Sequence, residues 1–581
     1  MISPNLKSCG CAAGRISDIP EHPASFITGF ITGLLIELLP TAPFENIGRH
    51  CNHCAAVFPA PHPTISARVQ FYSGIYPARF VSGSLHQKQC CFRLEASVDW
   101  SDHMMSSLLE NFTSLRQAFN AQPYPELATR KAQLTALRQQ LLQQQPALLA
   151  AARADFGQRD DSETSLLEVM PSISSIDYSL KKLRSWLKPA SRHVSWLFLP
   201  AKNYVCYQPL GVVGVIVPWN YPIFLSLGPL VTAISAGNKV MVKLSEFTPH
   251  TNEVLKSIIE QALPGSALVI EGDADIAASF SQLPFDHLLY TGSTAVGQHV
   301  MRAACNNLTP VTLELGGKSP LLIAPDIDVN SIADRIMFGK TANAGQTCVA
   351  PDYLLVPRAQ LAATIDALKL QFQQFYPADA SSDQHTSQKN SQYTSVINQR
   401  HFSRLCGYLT QANEKGASVI SCDGNDWQQH LQSSKRLLPL QLVLDAPLDC
   451  DLWQQEIFGP VLPILPYDNF NEALEFVRQR PRPLALYLFS HDSKLQQQVL
   501  QQTHAGGVCV NETLLHVGQE DLPFGGIGPS GMGHYHGREG FLTFSHAKAV
   551  HQKGRINSTQ LAYPQHRAKL LNKVMKFLLR A

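Results

Sequence analysis

From residue 211 to 217 the chain reads GVVGVIV, seven positions without a polar side chain, before Pro218 stops the run. A continuous β-branched stretch of this length predicts a strand buried on both faces. KVMVKLSEFTP (239–249) predicts a second, and SALVI (266–270) and DHLLY (286–290) repeat the pattern with helix-like segments between them. This alternation predicts a mainly parallel, doubly wound α/β sheet. Ligands of such a sheet sit at the carboxyl ends of its strands, where Asn220, then Lys243 and Glu246, then TGSTAVG (291–297) stand. Upstream, residues 126–157 carry Leu134, Leu137, Leu141 and Leu142 at helical spacing and break near Pro146. They predict two amphipathic helices packed on a core.

Residues 1–103 lack this patterning. They hold Cys9, Cys11, Cys51, Cys54, Cys90 and Cys91 among irregular Pro and His. Closely spaced cysteine pairs suit tetrahedral zinc; the alternatives are an unstructured leader, or an upstream region joined to a gene that starts at Met104 or Met105. The apolar run ASFITGFITGLLI (24–36) ends at Glu37 and Pro40, short of the roughly 20 residues that span a bilayer. It also lacks the short n-region and cleavage site of a signal peptide.

At 581 residues the chain exceeds one simple core and accommodates two or three packed units. Its net charge of +2, with 16% charged residues, offers neither the basic excess of a nucleic-acid binder nor an acidic tail. Small molecules, or copies of itself, are the expected partners. Cys206, Cys305, Cys348, Cys406, Cys422, Cys450 and Cys509 show no paired spacing, which fits a reducing cytoplasm.

Several stretches carry candidate chemistry, each beside a plainer reading. GSTAVG (292–297) is a loose dinucleotide loop or an ordinary strand-to-helix turn. Lys243 and Glu246 suit ribose hydroxyls or a surface ion pair. Glu314, in VTLELGGKSP (311–320), is a carboxylate among apolar residues before a glycine pair. Such an acid is either poised for proton transfer by a raised pKa or exposed at a strand end. Cys348, in NAGQTCVAPDY (343–353), is a nucleophile if a base, or a helix start at the end of NAGQTC, activates it, and otherwise a small hydrophobe.

Taken in order, PWNYP (218–222), KLSEFTP (243–249), YTGSTAVG (290–297), LELGGKSP (313–320), NAGQTCVAPDY (343–353), EIFGPVLPI (456–464) and LPFGGIGPSGMGHYHG (522–537) resemble the NAD(P)-dependent aldehyde dehydrogenase superfamily. GQTCVAPDY, RPLALYLFS (482–490) and the GMGHYHG ending most resemble its class 3 type and the bacterial coniferyl aldehyde dehydrogenase branch. The likeness runs from about Met104 to the C-terminal tail.

The resemblance implies Cys348 as nucleophile, Asn220 and the Cys348 backbone N–H as oxyanion donors, and Glu314 as the base that activates water. It implies Lys243 and Glu246 at the adenosine ribose, with Glu246 favouring NAD over NADP, and Gly292 and Ser293 at the pyrophosphate. Glu456 and Phe458 would meet the nicotinamide ribose and ring, Trp219 joins the cofactor set, and no metal is assigned. Leu244 departs from the proline common in this branch, which would shift the strand end.

The implied architecture is a Rossmann-like cofactor domain (104–186 and 212–314), an α/β catalytic domain (315–510) and a small β oligomerisation element (187–211 and 511–554) of a homodimer. The tail 555–581 reads as a basic amphipathic helix that covers a partner or touches a membrane surface. The expected reaction is oxidation of an aromatic aldehyde such as coniferaldehyde, or a medium-chain aliphatic one, to the acid. The rivals are a coenzyme A-acylating or semialdehyde dehydrogenase, against which Glu314 speaks, and a catalytically silent binding protein.

Overall fold

The computed structural model describes residues 100–377, 392–557, 559–560, 563–565 and 567–579. The six leader cysteines and the apolar run 24–36 lie outside them. The helix Trp100–Ala121 crosses the expected boundary at Met104. It buries Leu108, Phe112 and Leu115 against Met241, Ile270 and Leu288 of the neighbouring sheet.

In chain order, β1 (Ala190–Arg192) and β2 (Ala201–Pro209) form an antiparallel pair. Five parallel strands follow: β3 (Val212–Ile216), β4 (Lys239–Lys243), β5 (Ala267–Ile270), β6 (His287–Gly292) and β7 (Val311–Leu315). The next sheet takes β8 (Pro320–Ile323), β9 (Tyr353–Pro357), β10 (Ser418–Ser421), β11 (Gln441–Leu444), β12 (Val461–Tyr467), β13 (Ala485–Phe489) and β14 (Gly507–Val510), in the order β10-β11-β12-β9-β8-β13-β14. The chain then returns: β15 (Gly531–Met532) pairs with β7, Gly531 opposite Glu314, and β16 (Ser545–Lys553) pairs with β2. Within 511–554, therefore, only β16 joins the small sheet.

The first parallel sheet is ordered β7-β6-β3-β4-β5. The chain winds outward from β3 through β4 to β5, then crosses back to β6 on the other side of β3. That reversal opens a crevice at the carboxyl ends of β3 and β6, where ligands of doubly wound sheets bind. β3 is buried at every position, as its unbroken apolar run requires. The helix Pro222–Ala236 that follows is buried all round, so it is a core helix rather than a surface one.

The helices predicted around Pro146 are Leu127–Gln143 and Gln145–Phe156. Leu134, Leu137 and Leu141 are fully buried, but Leu142 is exposed. It follows Leu141 directly, and one residue rotates it about 100° off the stripe. Among the described residues no helix is long and apolar enough to cross a membrane.

Arg130, fully buried on the first of these helices, fixes the end of the core helix. Its Nη1 donates to Ser235 O (2.9 Å) and Ala236 O (2.7 Å), and its Nε to Pro125 O (2.9 Å). The Ser235 and Ala236 carbonyls lack partners within the helix, and Gly237, at φ +96°, turns the chain away beside the guanidinium. Arg130→Met is expected to lower the unfolding free energy by about 2–4 kcal/mol. A urea midpoint unchanged from wild type would contradict this account of the helix end.

Candidate active site

Three loops converge on the crevice. After β3 the chain turns through Pro218, Trp219 and Asn220, and Asn220 is buried. From β7 comes Glu314, 3% exposed, with neither carboxyl oxygen accepting a hydrogen bond. It is thus no solvent-facing strand-end acid, and burial holds its pKa well above the ordinary carboxylate range.

The third loop precedes Cys348. Asn343, Ala344 and Gly345 all lie in the left-handed region, at φ 52°, 52° and 70°. A Cβ on Gly345 would meet Gly459 O at 2.5 Å, so that position needs glycine. The left-handed run ends the helix Ala333–Thr341 and leaves Cys348 in a turn. The expected placement at a helix start is therefore corrected: Cys348 lies in a single turn, closed by the Ala350 N–H donating to Thr347 O (3.0 Å), and the chain runs from it into β9 with no helix. Cys348 is half-buried, and burial, then the Glu456 and Glu314 carboxyls, push its thiol up to about 12. The backbone N–H groups of Cys348 and Val349 oppose that shift.

The polar side chains around Cys348 are consumed in tying two loops together. Asn220 Nδ2 donates to Gln346 O (3.1 Å), and Asn343 Nδ2 to both Asn220 O (2.9 Å) and Gln346 O (3.2 Å). Gln346 Nε2 donates to Asn343 O (3.0 Å) and Ser395 O (3.1 Å), while its Oε1 accepts from Ile397 N (2.9 Å). Tyr221 and Thr347 share a hydroxyl–hydroxyl bond of 2.7 Å. Half-buried Glu163 takes the Asn343 N–H (2.8 Å) and the Thr394 hydroxyl.

Cys348 faces two cavities. One, of about 220 Å³, is lined by Trp219, Asn220, Gly292, Ser293, Glu314, Cys348, Glu456 and Phe458, eight of the residues singled out by sequence. His401 and Arg404 line it too, one turn apart on the helix Gln399–Glu414. Nothing in their local sequence marks them. Glu456 reaches this cavity because Gly316 has no side chain: a Cβ there would lie 2.1 Å from the carboxylate. Burial, then Asp352, push Glu456 up to about 8. Phe458 holds φ +50° and sets its ring edge-on to Trp219 at 5.5 Å. The other cavity, of about 270 Å³, is mostly apolar, with Phe224, Phe338, Phe524 and Tyr535 among its walls.

Lys243 and Glu246 lie outside both linings, at the end of β4. Lys243 is 2% exposed and donates to Leu244 O (2.8 Å), with Glu246 Oε2 3.9 Å away and exposed. A buried lysine beside an exposed acid is not a surface ion pair. Leu244 extends the ladder to β5: its N–H donates to Ile270 O (3.0 Å), a bond proline could not make. At the end of β6, Ser293 Oγ accepts from Val296 N (3.4 Å) and caps the helix Thr294–Cys305. That helix presents its N-terminus to the crevice floor, the arrangement that favours an anion. Among the described residues no His, Cys, Asp or Glu cluster has a metal-binding arrangement.

A half-buried thiol with one buried and one half-buried carboxyl in the crevice of a doubly wound sheet is the layout of a dinucleotide-dependent oxidoreductase. The chain belongs to the aldehyde dehydrogenase family, whose profile matches residues 108–550. It is an oxidoreductase that acts on aldehydes. A relative from Pseudomonas aeruginosa, described as "Probable coniferyl aldehyde dehydrogenase", is 49% identical over 84% of this chain and 99% of its own. The coniferyl aldehyde dehydrogenase of a Pseudomonas species is 42% identical over 73% and 86%. The substrate-bound Staphylococcus aureus AldH structure superposes with a TM-score of 0.74 at 35% identity, covering 81% of this chain and 99% of that one. A Mycobacterium tuberculosis aldehyde dehydrogenase complexed with NAD+ superposes with a TM-score of 0.68 at 27% identity, over 77% and 90%.

A thiol pushed up to about 12 is ionised to only about one part in 10⁴ at pH 8. Iodoacetamide should therefore alkylate Cys348 in the cofactor-free protein at least ~100-fold more slowly than an exposed cysteine, with a rate that climbs without a plateau to pH 10. Above pH 8 the Glu456 carboxylate is charged and opposes the thiolate, so Glu456→Gln should speed the reaction at pH 9. A plateau near pH 8.5 would contradict the buried-thiol electrostatics.

Proposed function

We propose that Cys348 is the nucleophile of an NAD-dependent oxidation of an apolar, aromatic aldehyde to its acid. The observation that carries this reading is that Cys348 belongs to both cavities, one ringed by polar and glycine positions and the other by aromatic walls. The ionised Sγ forms a bond to the carbonyl carbon, and the carbonyl electron pair moves onto oxygen. Asn220 Nδ2 and the Cys348 backbone N–H receive that oxyanion. Donors of this kind are worth about 3 kcal/mol each in the transition state. Asn220 is held ready, because its Nδ2 already points across to the Cys348 loop.

The dinucleotide fits the donor set at the crevice. The helix start at Ser293 and the bare backbone of Gly292 suit a pyrophosphate, and buried Lys243 with exposed Glu246 suits ribose hydroxyls. The Glu246 carboxylate disfavours a 2′-phosphate. Glu456 and Phe458, with Trp219, would hold the nicotinamide end near the thiol. When bound, the nicotinamide supplies the acceptor for the hydride that leaves the thiohemiacetal carbon. The thioester left on Sγ requires water and a base, and Glu314 provides the base. Its oxygens are free of other partners, and a raised pKa suits it to take a proton from water and return it.

The aromatic walls favour a flat substrate, and the coniferyl aldehyde dehydrogenase relatives point to coniferaldehyde. The same reading has the protein as a cytoplasmic homodimer. β16 is an exposed edge strand, and Trp196, Phe198 and Phe577 stay exposed near the tail helix Arg567–Leu578, where Trp196 and Phe577 meet edge to face. Edges and apolar surface of this kind are what a second copy covers.

With NAD and no coenzyme A, coniferaldehyde should support NADH formation at a higher kcat/KM than octanal, and Cys348→Ala should abolish it. Glu314→Gln should release about one NADH per active site in a fast phase and then turn over at least ~100-fold more slowly, because thioester hydrolysis loses its base. Dependence on coenzyme A, or no burst in Glu314→Gln, would overturn this assignment of roles.

A further inference from the structure

Glu168 has no part in the chemistry above and lines neither cavity at Cys348, yet it is fully buried. It sits on a π-helical turn, Ser165–Val169, whose Leu166 and Leu167 do line the apolar cavity. Such turns are rare and concentrate at functional sites. The Glu168 carboxyl instead meets the segment that follows Asn220. Its Oε2 accepts from the N–H groups of Ile223 (2.7 Å) and Phe224 (3.3 Å), the first turn of the helix Pro222–Ala236. That helix has no side-chain cap of its own. A carboxylate from another element thus satisfies its free donors and the positive end of its dipole.

The other oxygen, Oε1, lies 3.0 Å from Arg159 Nη2, and both side chains are 0% exposed. Arg159 in turn points its Nη1 at Asn220 O (3.5 Å) and lays its guanidinium against the rings of Phe156 and Tyr221. Burial raises the Glu168 pKa, while Arg159 and the two amides pull it back toward the charged form. The carboxyl therefore holds the chain at Asn220 and just after it: at the Asn220 carbonyl through Arg159, and three and four residues on through the helix start.

We infer that Glu168 is a positioning residue for Asn220, fixing the backbone from which the Asn220 amide reaches the Cys348 loop. The inference rests on Asn220 being an oxyanion donor. Misplacing such a group by about 1 Å costs up to ~10²-fold in rate.

Steady-state kinetics of Glu168→Asp and Glu168→Gln, each alone and combined with Asn220→Ala, tests it. Alkylation of Cys348, read by peptide mass, is measured in parallel. Glu168→Asp keeps the charge against Arg159 but draws the carboxyl back from the two amides. It should lower kcat about tenfold with KM within about twofold, leave Cys348 alkylation unchanged, and cause no further loss once Asn220 is alanine. If Glu168→Gln fails to fold because Arg159 has lost its counter-charge, Glu168→Asp decides alone.

A Glu168→Asp protein with wild-type kcat overturns the inference. So does a tenfold loss that multiplies in full with the Asn220→Ala loss, or alkylation that falls in step with kcat. An Asn220→Ala protein with full activity would instead show that the reading of Asn220 itself is wrong, and Glu168 would lose its proposed role with it.

Discussion

Two sheets meet at the thiol, and two amide hydrogen bonds tie them together while two more brace the loop that carries it. Asn220 comes from the end of β3, and Asn343 and Gln346 from the loop before β9; their side chains donate to one another's backbone carbonyls. Each bond is worth only about 1 kcal/mol net, but a buried amide left without its partner costs more than the bond contributes. The loops therefore hold or fail together. The knot also explains the left-handed pair Asn343 and Ala344. A non-glycine residue in that region costs about 1–2 kcal/mol, and the strain persists only where surrounding contacts over-determine it. Here they do, because Glu163 fixes the Asn343 N–H as the side chain fixes two carbonyls.

Burial raises the pKa of all four acids near the thiol, Glu163, Glu168, Glu314 and Glu456, and they differ in what they hold. Glu163 and Glu168 have hydrogen-bond donors, and Arg159 acts on both. They hold backbone. Glu314 accepts no hydrogen bond, and Glu456 meets the neighbouring charge of Asp352. Both bind their protons more tightly than an acid in water. Burial raises the Cys348 thiol as well, so the resting centre carries little charge. Keeping it neutral avoids the several kcal/mol that an unpaired buried ion would cost.

Much of this was legible in the sequence where the cue was contiguous. GVVGVIV could only be a strand buried on both faces, and the alternation after it fixed the parallel winding and hence the crevice. Glu314 stood out because a carboxylate interrupts an apolar run. Cys348 stood out less clearly, and its surroundings were misjudged. NAGQTC suggested a helix start, whereas the φ values of Asn343 and Ala344 are imposed by Glu163, 180 residues upstream in the chain. Glu168 gave no signal for the same reason: its meaning lies in Ile223, Phe224 and Arg159, none of which shares a motif with it. Leu142 shows the limit of periodicity, since adjacent leucines cannot both lie on one narrow stripe.

The two cavities at Cys348 share only Leu225 and the cysteine itself among their lining residues. The polar chamber draws on the strand ends of both sheets; the apolar one draws on the π-helical turn, the core helix and the loop after β14. Substitutions in one set of walls need not disturb the other. On the proposed reading, a lineage built on this plan exchanges aldehydes by remodelling a single chamber, while the machinery that accepts electrons is inherited intact.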